Sequence, residues 1–193
     1  MSSRIRFPFI PEVLTPIFMS DVNHAWTKVW REIEGMGFAC RRLATCQVYL
    51  ELFDSAYGYQ WYGDRSDGRV CGDIVLPRIS LSHWKAYFSG ITSTSLVDVL
   101  RHEYGHAFAD VNRRRVESKR FEKTFGSPHD IEHGEDYEHD PECHVTPYAA
   151  TSTGEDFAEV FWLHLKHKGK LPRHLDTAPI RRKWKFVEEL RKG

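Results

Sequence analysis

No stretch of this 193-residue chain approaches the ~18 consecutive apolar residues of a membrane-spanning helix. The opening segment, MSSRIRFPFIPEVLTPIFMSD, is interrupted by Pro8, Pro11 and Pro16 and has no continuous apolar run ahead of a small-residue cleavage site. It therefore does not read as a signal peptide. Together these absences predict a cytoplasmic protein with no membrane partner, export by another route remaining open. Net charge is missing too: 27 acidic residues cancel 27 basic ones, which removes any global electrostatic case for a nucleic-acid or membrane-surface partner. Cysteine is sparse, and Cys40, Cys46, Cys71 and Cys143 include no C-x-x-C pair, which argues against a structural zinc knuckle. Free buried thiols are the expectation, although an even count permits disulfides in an oxidising compartment.

What is present suffices for one core. Hydrophobic residues make up 41% of the chain, an ordinary globular share, so residues 1–193 are expected to form a single domain. Its prolines make residues 1–19 an extended arm. Ser20 or Asp21 then caps a helix whose Ala25, Trp26, Val29, Trp30 and Ile33 recur at helical spacing, closed by Gly35 and Gly37. The alternation in Leu43–Phe53 predicts a strand, and a second apolar run from Arg69 to Leu76 stops at Pro77. Between them lies a Gly- and Tyr-rich loop whose Tyr57, Tyr59, Trp61 and Tyr62 either line a substrate cleft or fold back on the core. Residues Ile79–Phe88 form either a short helix or a turn around Trp84. The fold class is thus α+β, with a short mixed or antiparallel sheet packed on a central helix and a mostly helical C-terminal half.

That central helix is SLVDVLRHEYGHAFAD, residues 95–110. Ser95 with Asp98 forms a capping box, and Leu96, Val99, Leu100, Ala107 and Val111 supply a stripe that buries one face. The helix carries H-E-x-x-H. His102 and His106, four residues apart, project from one face and can both offer a ring nitrogen to one metal ion. Glu103 stands beside the metal rather than on it, where a general base must be to take a proton from water that zinc has acidified. Asp110, a further turn along, either orients a ligand histidine or pairs with the arginines that follow. The pattern points to a zinc peptidase acting on a peptide or protein substrate, with one catalytic Zn2+.

A catalytic zinc takes three protein ligands and leaves a position open. Ala109 and Asn112 occupy the places where a metzincin would have its Gly and third His, which excludes that class. The better supplier is a second helix within Tyr148–Leu165, capped by Thr153 with Asp156, which presents Glu155 and Glu159 on one face while Phe157, Val160 and Phe161 face the core. One of the two carboxylates can bind zinc while the other accepts a ligand histidine's free N–H. A thiolate from Cys143 or a loop histidine are the rival donors. Independently, a phenol such as Tyr148 can bind the oxyanion that forms when water attacks a carbonyl.

The pair HEYGH and YAATSTGEDFAEVF resembles the gluzincin pattern of the catalytic domain of anthrax lethal factor and of the Pro-Pro endopeptidases, in which a Tyr precedes an E-x-F-A-E-type helix. It is also similar to small bacterial zinc-binding metallopeptidases, including the element Lys183-Trp184-Lys185-Phe186-Val187. The likeness covers residues 95–187. It implies a zincin fold, Glu155 as the third zinc ligand, Glu159 supporting a ligand histidine and Tyr148 facing the metal across the substrate. Arg69–Leu76 is then expected to be the edge strand to which a substrate adds in extended form.

Three segments stand apart from this site. RRRVESKR after the central helix reads as a solvated charged continuation. Ser127–Glu142, with seven carboxylates, three histidines and no Lys or Arg, reads as a surface loop, an acidic rim for basic substrates, or a weak second metal site. The basic C-terminus, Lys166 onward, reads as a solvated helix docked by Ile180, Trp184, Val187 and Leu190, so nucleic acid is not an expected partner. The rival functions are a zinc-binding regulatory or interaction module without turnover and a nucleic-acid-associated peptidase.

Overall fold

The computed structural model describes residues 17–51, 58–60, 71–77, 95–127 and 139–191. Among them are six α-helices and three strands: α1 (Met19–Gly35), β1 (Val48–Glu51), β2 (Gly58–Gln60), β3 (Asp73–Pro77), α2 (Leu96–Val111), α3 (Arg113–Val116), α4 (Lys119–Phe125), α5 (Thr153–Lys166) and α6 (Ala178–Leu190). The fold is α+β and mostly helical. No helix of the described residues is long and apolar enough to cross a membrane.

Helices α2 and α5 form the centre. Their apolar faces, including Val99, Leu100, Ala107 and Phe108 on α2 and Phe157, Val160, Phe161 and Leu165 on α5, are buried in one hydrophobic cluster with residues of α1, α4 and α6. The helices approach closely at Gly105, where a Cβ would lie 3.1 Å from the Ala158 Cα and 3.4 Å from the Phe161 Cβ. Tyr104, the next residue round α2, packs on Trp26 and Trp30 of α1, with ring centroids 6.1 and 6.3 Å away, and on Phe161 of α5 at 6.1 Å. These tryptophans are core anchors. Arg101 binds both carboxylate oxygens of Glu32 at 2.8 Å and pairs with Asp98, whose other oxygen takes Lys166 at 3.0 Å. One charged network thereby ties α1, α2 and α5 together.

The start signals act largely as the sequence suggests. The Ser95 hydroxyl accepts the Asp98 N–H at 3.2 Å. The cap of α1 is neither Ser20 nor Asp21 but Phe18, whose N–H the Asp21 carboxylate accepts at 3.2 Å from inside the first turn. Three further expectations need correction. The cap of α5 is Ser152, whose hydroxyl accepts the Glu155 N–H at 3.1 Å; Thr153 is the first helical residue. The predicted strand over Leu43–Phe53 narrows to β1, because Arg41–Thr45 turns as a 3-10 helix. The charged stretch RRRVESKR is no simple continuation: it breaks into α3 and α4, with Val116, Phe121 and Phe125 buried among the charges and Ser118 capping α4.

The sheet order is β1-β3-β2, with β1 parallel and β2 antiparallel to β3. The run Arg69–Leu76 is therefore not an edge. Its described part supplies β3, paired on both sides, and Ile74, Val75 and Leu76 are buried in succession, as expected of a strand covered on both faces. The edge against α2 is β2. Residues 1–16, Tyr57, Trp61, Tyr62, Ile79–Phe88 and most of the acidic segment (128–138) lie outside the described residues.

Candidate metal centre

The two central helices bring their polar residues to one point. On α2, His102 and His106 lie one turn apart, and their Nε2 atoms are 3.1 Å from each other. The Glu155 Oε2, from the first turn of α5, lies 3.0 Å from the His102 Nε2 and 3.2 Å from the His106 Nε2. Three donor atoms thus form a near-equilateral triangle. Four-coordinate zinc with bonds of ~2.0–2.1 Å holds its ligand atoms roughly 3.3 Å apart, so the donor set fits such an ion with little adjustment. Among the described residues the group contains these three donors, and Cys143 is not one of them; none of the four cysteines is in a disulfide, and whereas Cys46 and Cys71 are buried as expected, Cys40 and Cys143 are half-buried.

The arrangement around the triangle selects the form each donor takes. The His102 Nδ1 lies 2.7 Å from the Glu159 Oε1. A carboxylate oxygen here accepts, so Nδ1 carries a hydrogen and Nε2 is the nitrogen left to offer a lone pair to a bound metal. The second Glu159 oxygen accepts the Thr146 hydroxyl at 2.6 Å, and the Thr146 oxygen in turn accepts the Ala149 N–H at 3.1 Å. Glu159, wholly buried, is in this way satisfied at both oxygens. Burial opposes the charged form of His102, but the carboxylates of Glu155 and Glu159 outweigh it and hold its pKa well above the usual histidine range. Burial likewise disfavours the Glu155 carboxylate, yet the His106 and His102 rings on either side bring its pKa well below the usual range. Each finding expresses the same tension: two imidazoles and a carboxylate drawn together without solvent between them.

Glu103 lies beside the triangle, 2% exposed. Burial raises its pKa, partly countered by His102 and His106, and its Oε2 accepts the Tyr59 backbone N–H at 2.6 Å. Tyr148 sits in a 3-10 turn, Tyr148–Ala150, with its ring centroid 5.8 Å from that of His102. Burial and the neighbouring carboxylates of Glu155, Glu103 and Glu159 raise its pKa, so the phenol keeps its proton, and its hydroxyl is hydrogen-bonded to Glu155. Every residue singled out in the sequence for the site, namely His102, Glu103, His106, Tyr148, Glu155 and Glu159, is found at this one place. Asp110 is not: it pairs with Arg113 at 3.0 Å and accepts the Tyr59 hydroxyl at 2.8 Å.

Three contributors lie outside the residues that the sequence singles out for the site. Thr146 is one, and the backbone of β2 is another. The third is Lys183 of α6, buried with its ammonium against Asp156 and donating to the Cys143 carbonyl at 2.6 Å. It holds the loop before Tyr148 to the first turn of α5; burial nonetheless lifts the Asp156 pKa to about 7. No family model matches the chain, and neither a curated protein nor a solved structure shows significant similarity to it.

Proposed function

We propose that this chain is a zinc-dependent metallopeptidase of the gluzincin kind, with His102, His106 and Glu155 as metal ligands. The observation that carries the reading is the triangle of Nε2, Nε2 and Oε2 atoms, 3.0–3.2 Å on a side, with a buried carboxylate that is not one of its corners beside it. A purely structural zinc site is closed by four protein ligands; three donors leave a position for water and substrate. Zinc bound there would supply Lewis acidity, polarising the scissile carbonyl and bringing the pKa of water in the open position toward ~7.

The chain's own residues supply the rest. Glu103, with Oε2 engaged by Tyr59, takes a proton from the attacking water on its other oxygen and delivers it to the leaving amine. Tyr148, kept protonated by its surroundings, gives its hydroxyl to the developing oxyanion, an interaction typically worth ~10²–10³ in rate. Glu159, braced by Thr146, keeps the His102 ring in the tautomer that ligation requires. The substrate class is a peptide or protein.

The test joins metal analysis to cleavage of a mixed peptide library. One zinc per chain and peptide cleavage are expected for the parent; Glu103→Gln should keep the zinc and lose turnover, and His106→Ala should lose the zinc. A parent that binds no zinc, or a Glu103→Gln variant that cleaves as fast as the parent, would overturn the reading.

A further inference from the structure

We infer that the backbone N–H of Tyr59, presented by β2, is the positioning element for Glu103, and that position 58 is glycine because of it. That role for the Tyr59 N–H rests on the proposed function; the contact is a property of the fold.

Among the described residues β2 pairs with β3 alone, through the register Gly58↔Val75, Tyr59↔Ile74 and Gln60↔Asp73. Its Tyr59 N–H turns the other way, to the Glu103 Oε2 at 2.6 Å. An N–H given to a carboxylate at that distance is a charge-assisted bond. A carboxylate rotates readily about its last torsion, so a base with neither oxygen tied would present a changing face to water. Here one oxygen is tied, and the other is left in a fixed direction to receive the proton.

The neighbouring residue shows how closely strand and carboxylate approach. Gly58 has φ +99°, and a Cβ built on it would lie 3.0 Å from the Glu103 Oε2 and 3.3 Å from its Oε1. A side chain there would meet the base at both oxygens, in a backbone conformation that L-residues seldom adopt. The strand is also pinned at a second point. The Tyr59 hydroxyl donates to the Asp110 Oδ2 at 2.8 Å and accepts the Gly72 N–H at 2.7 Å. Asp110 lies seven residues, two helical turns, beyond Glu103 on the same face of α2. Backbone and phenol of one residue thus register β2 against the helix on either side of the site.

Because the Tyr59 N–H stands outside the β2–β3 ladder, it can be removed without breaking a strand pair, and an edge position accepts proline. Tyr59→Ala removes the phenol and keeps the N–H; Tyr59→Pro removes both, so the difference between them isolates the N–H. With zinc affinity within about threefold of the parent in all variants, kcat should fall about a hundredfold from Tyr59→Ala to Tyr59→Pro and about a hundredfold from the parent to Gly58→Ala, KM changing little, as a misplacement near 1 Å does elsewhere. A readout without turnover accompanies this: the Tyr59 amide should exchange with solvent slowly in the parent and at least ~100-fold faster in Glu103→Ala, since the Glu103 carboxylate is its hydrogen-bond partner. A Tyr59→Pro variant with the kcat of Tyr59→Ala, or a Tyr59 amide that exchanges equally fast in parent and Glu103→Ala, would overturn the inference. Failure of the proposed function shows differently, as undiminished turnover by Glu103→Gln or absence of zinc in the parent, neither of which touches the exchange of Tyr59.

Discussion

Gly105, inside the H-E-x-x-H motif, sets two opposing effects against each other. Replacing it with alanine in the middle of a helix gains ~1 kcal/mol of helix propensity. The added methyl, however, would meet the Ala158 Cα at 3.1 Å, the Ala158 carbonyl oxygen at 3.4 Å and the Phe161 Cβ at 3.4 Å. Two of those three atoms are backbone of α5, which cannot swing aside as a long side chain would, so the helices must part by a few tenths of an ångström. Overpacking of this kind costs ~1–3 kcal/mol, which outweighs the propensity gain and leaves Gly105→Ala destabilised by about 1 kcal/mol. For a chain of this size the corresponding fall in Tm is ~2–4 °C. The same displacement carries Glu155 on α5 away from His102 and His106 on α2, and zinc affinity should drop about tenfold, the order seen when ligand positioning is disturbed. Urea unfolding and calorimetric zinc titration measure the two quantities separately. A variant that melts above the parent with unchanged zinc affinity would refute the reasoning, because propensity would then have beaten contact.

Two further outcomes follow from buried polar groups. Thr146→Val leaves the Glu159 Oε2 and the Ala149 N–H without the Thr146 hydroxyl; at ~1–3 kcal/mol each, a stability loss of ~2–6 kcal/mol with weakened zinc binding is expected by chemical denaturation and metal titration, and Thr146→Ser should restore both. His164 is fully buried between Phe38 and Trp184, with its Nε2 on Glu188 at 2.9 Å and its Nδ1 unpartnered. Burial, with Arg191 nearby, brings its pKa down to about 4, against ~6.5 in an unfolded chain. The unfolded state therefore binds a proton first as pH falls, and the stability present above pH ~6.5 is lost on the way down to pH ~4, at most ~3 kcal/mol from this residue. Denaturation at a series of pH values should give a shallower acid limb for His164→Phe, and an identical limb would count against the assignment.

The parts of the molecule legible in the sequence are those in which one short-range rule acts alone. The helix bearing His102 and His106 announces itself through a cap, an apolar period and a spacing, all within sixteen residues. Glu155 and Glu159 are legible for the same reason, and the one-residue error at Ser152 reflects two hydroxyl residues competing for one cap. Strand order is a different matter. Alternation and length do not say which strands pair, and Arg69–Leu76 passed for an edge although Ile74, Val75 and Leu76 are apolar in succession, a mark of a strand covered on both faces. In RRRVESKRFEKTF the charges hide Val116, Phe121 and Phe125, which alone determine that the segment folds back on the core. Lys183 reads as one more solvated cation until α6 is placed against Asp156. The Tyr59 N–H belongs to the backbone, and no residue code records where a backbone donor points.

The close seating of α5 on α2 at Gly105 has a consequence for how the site can respond to what it binds. All three candidate ligands ride on these two helices, whose buried faces are also the middle of the hydrophobic cluster. Such a pair opens only with the molecule as a whole, so its amides should be among the slowest to exchange, and the metal-binding half of the site is as stiff as the core itself. β2, three residues long and, among the described residues, paired with β3 alone, is held to α2 through the Tyr59 N–H on Glu103 and the Tyr59 hydroxyl on Asp110. The helical wall of the candidate site is therefore its fixed part, and whatever enters the site must fit it as it stands.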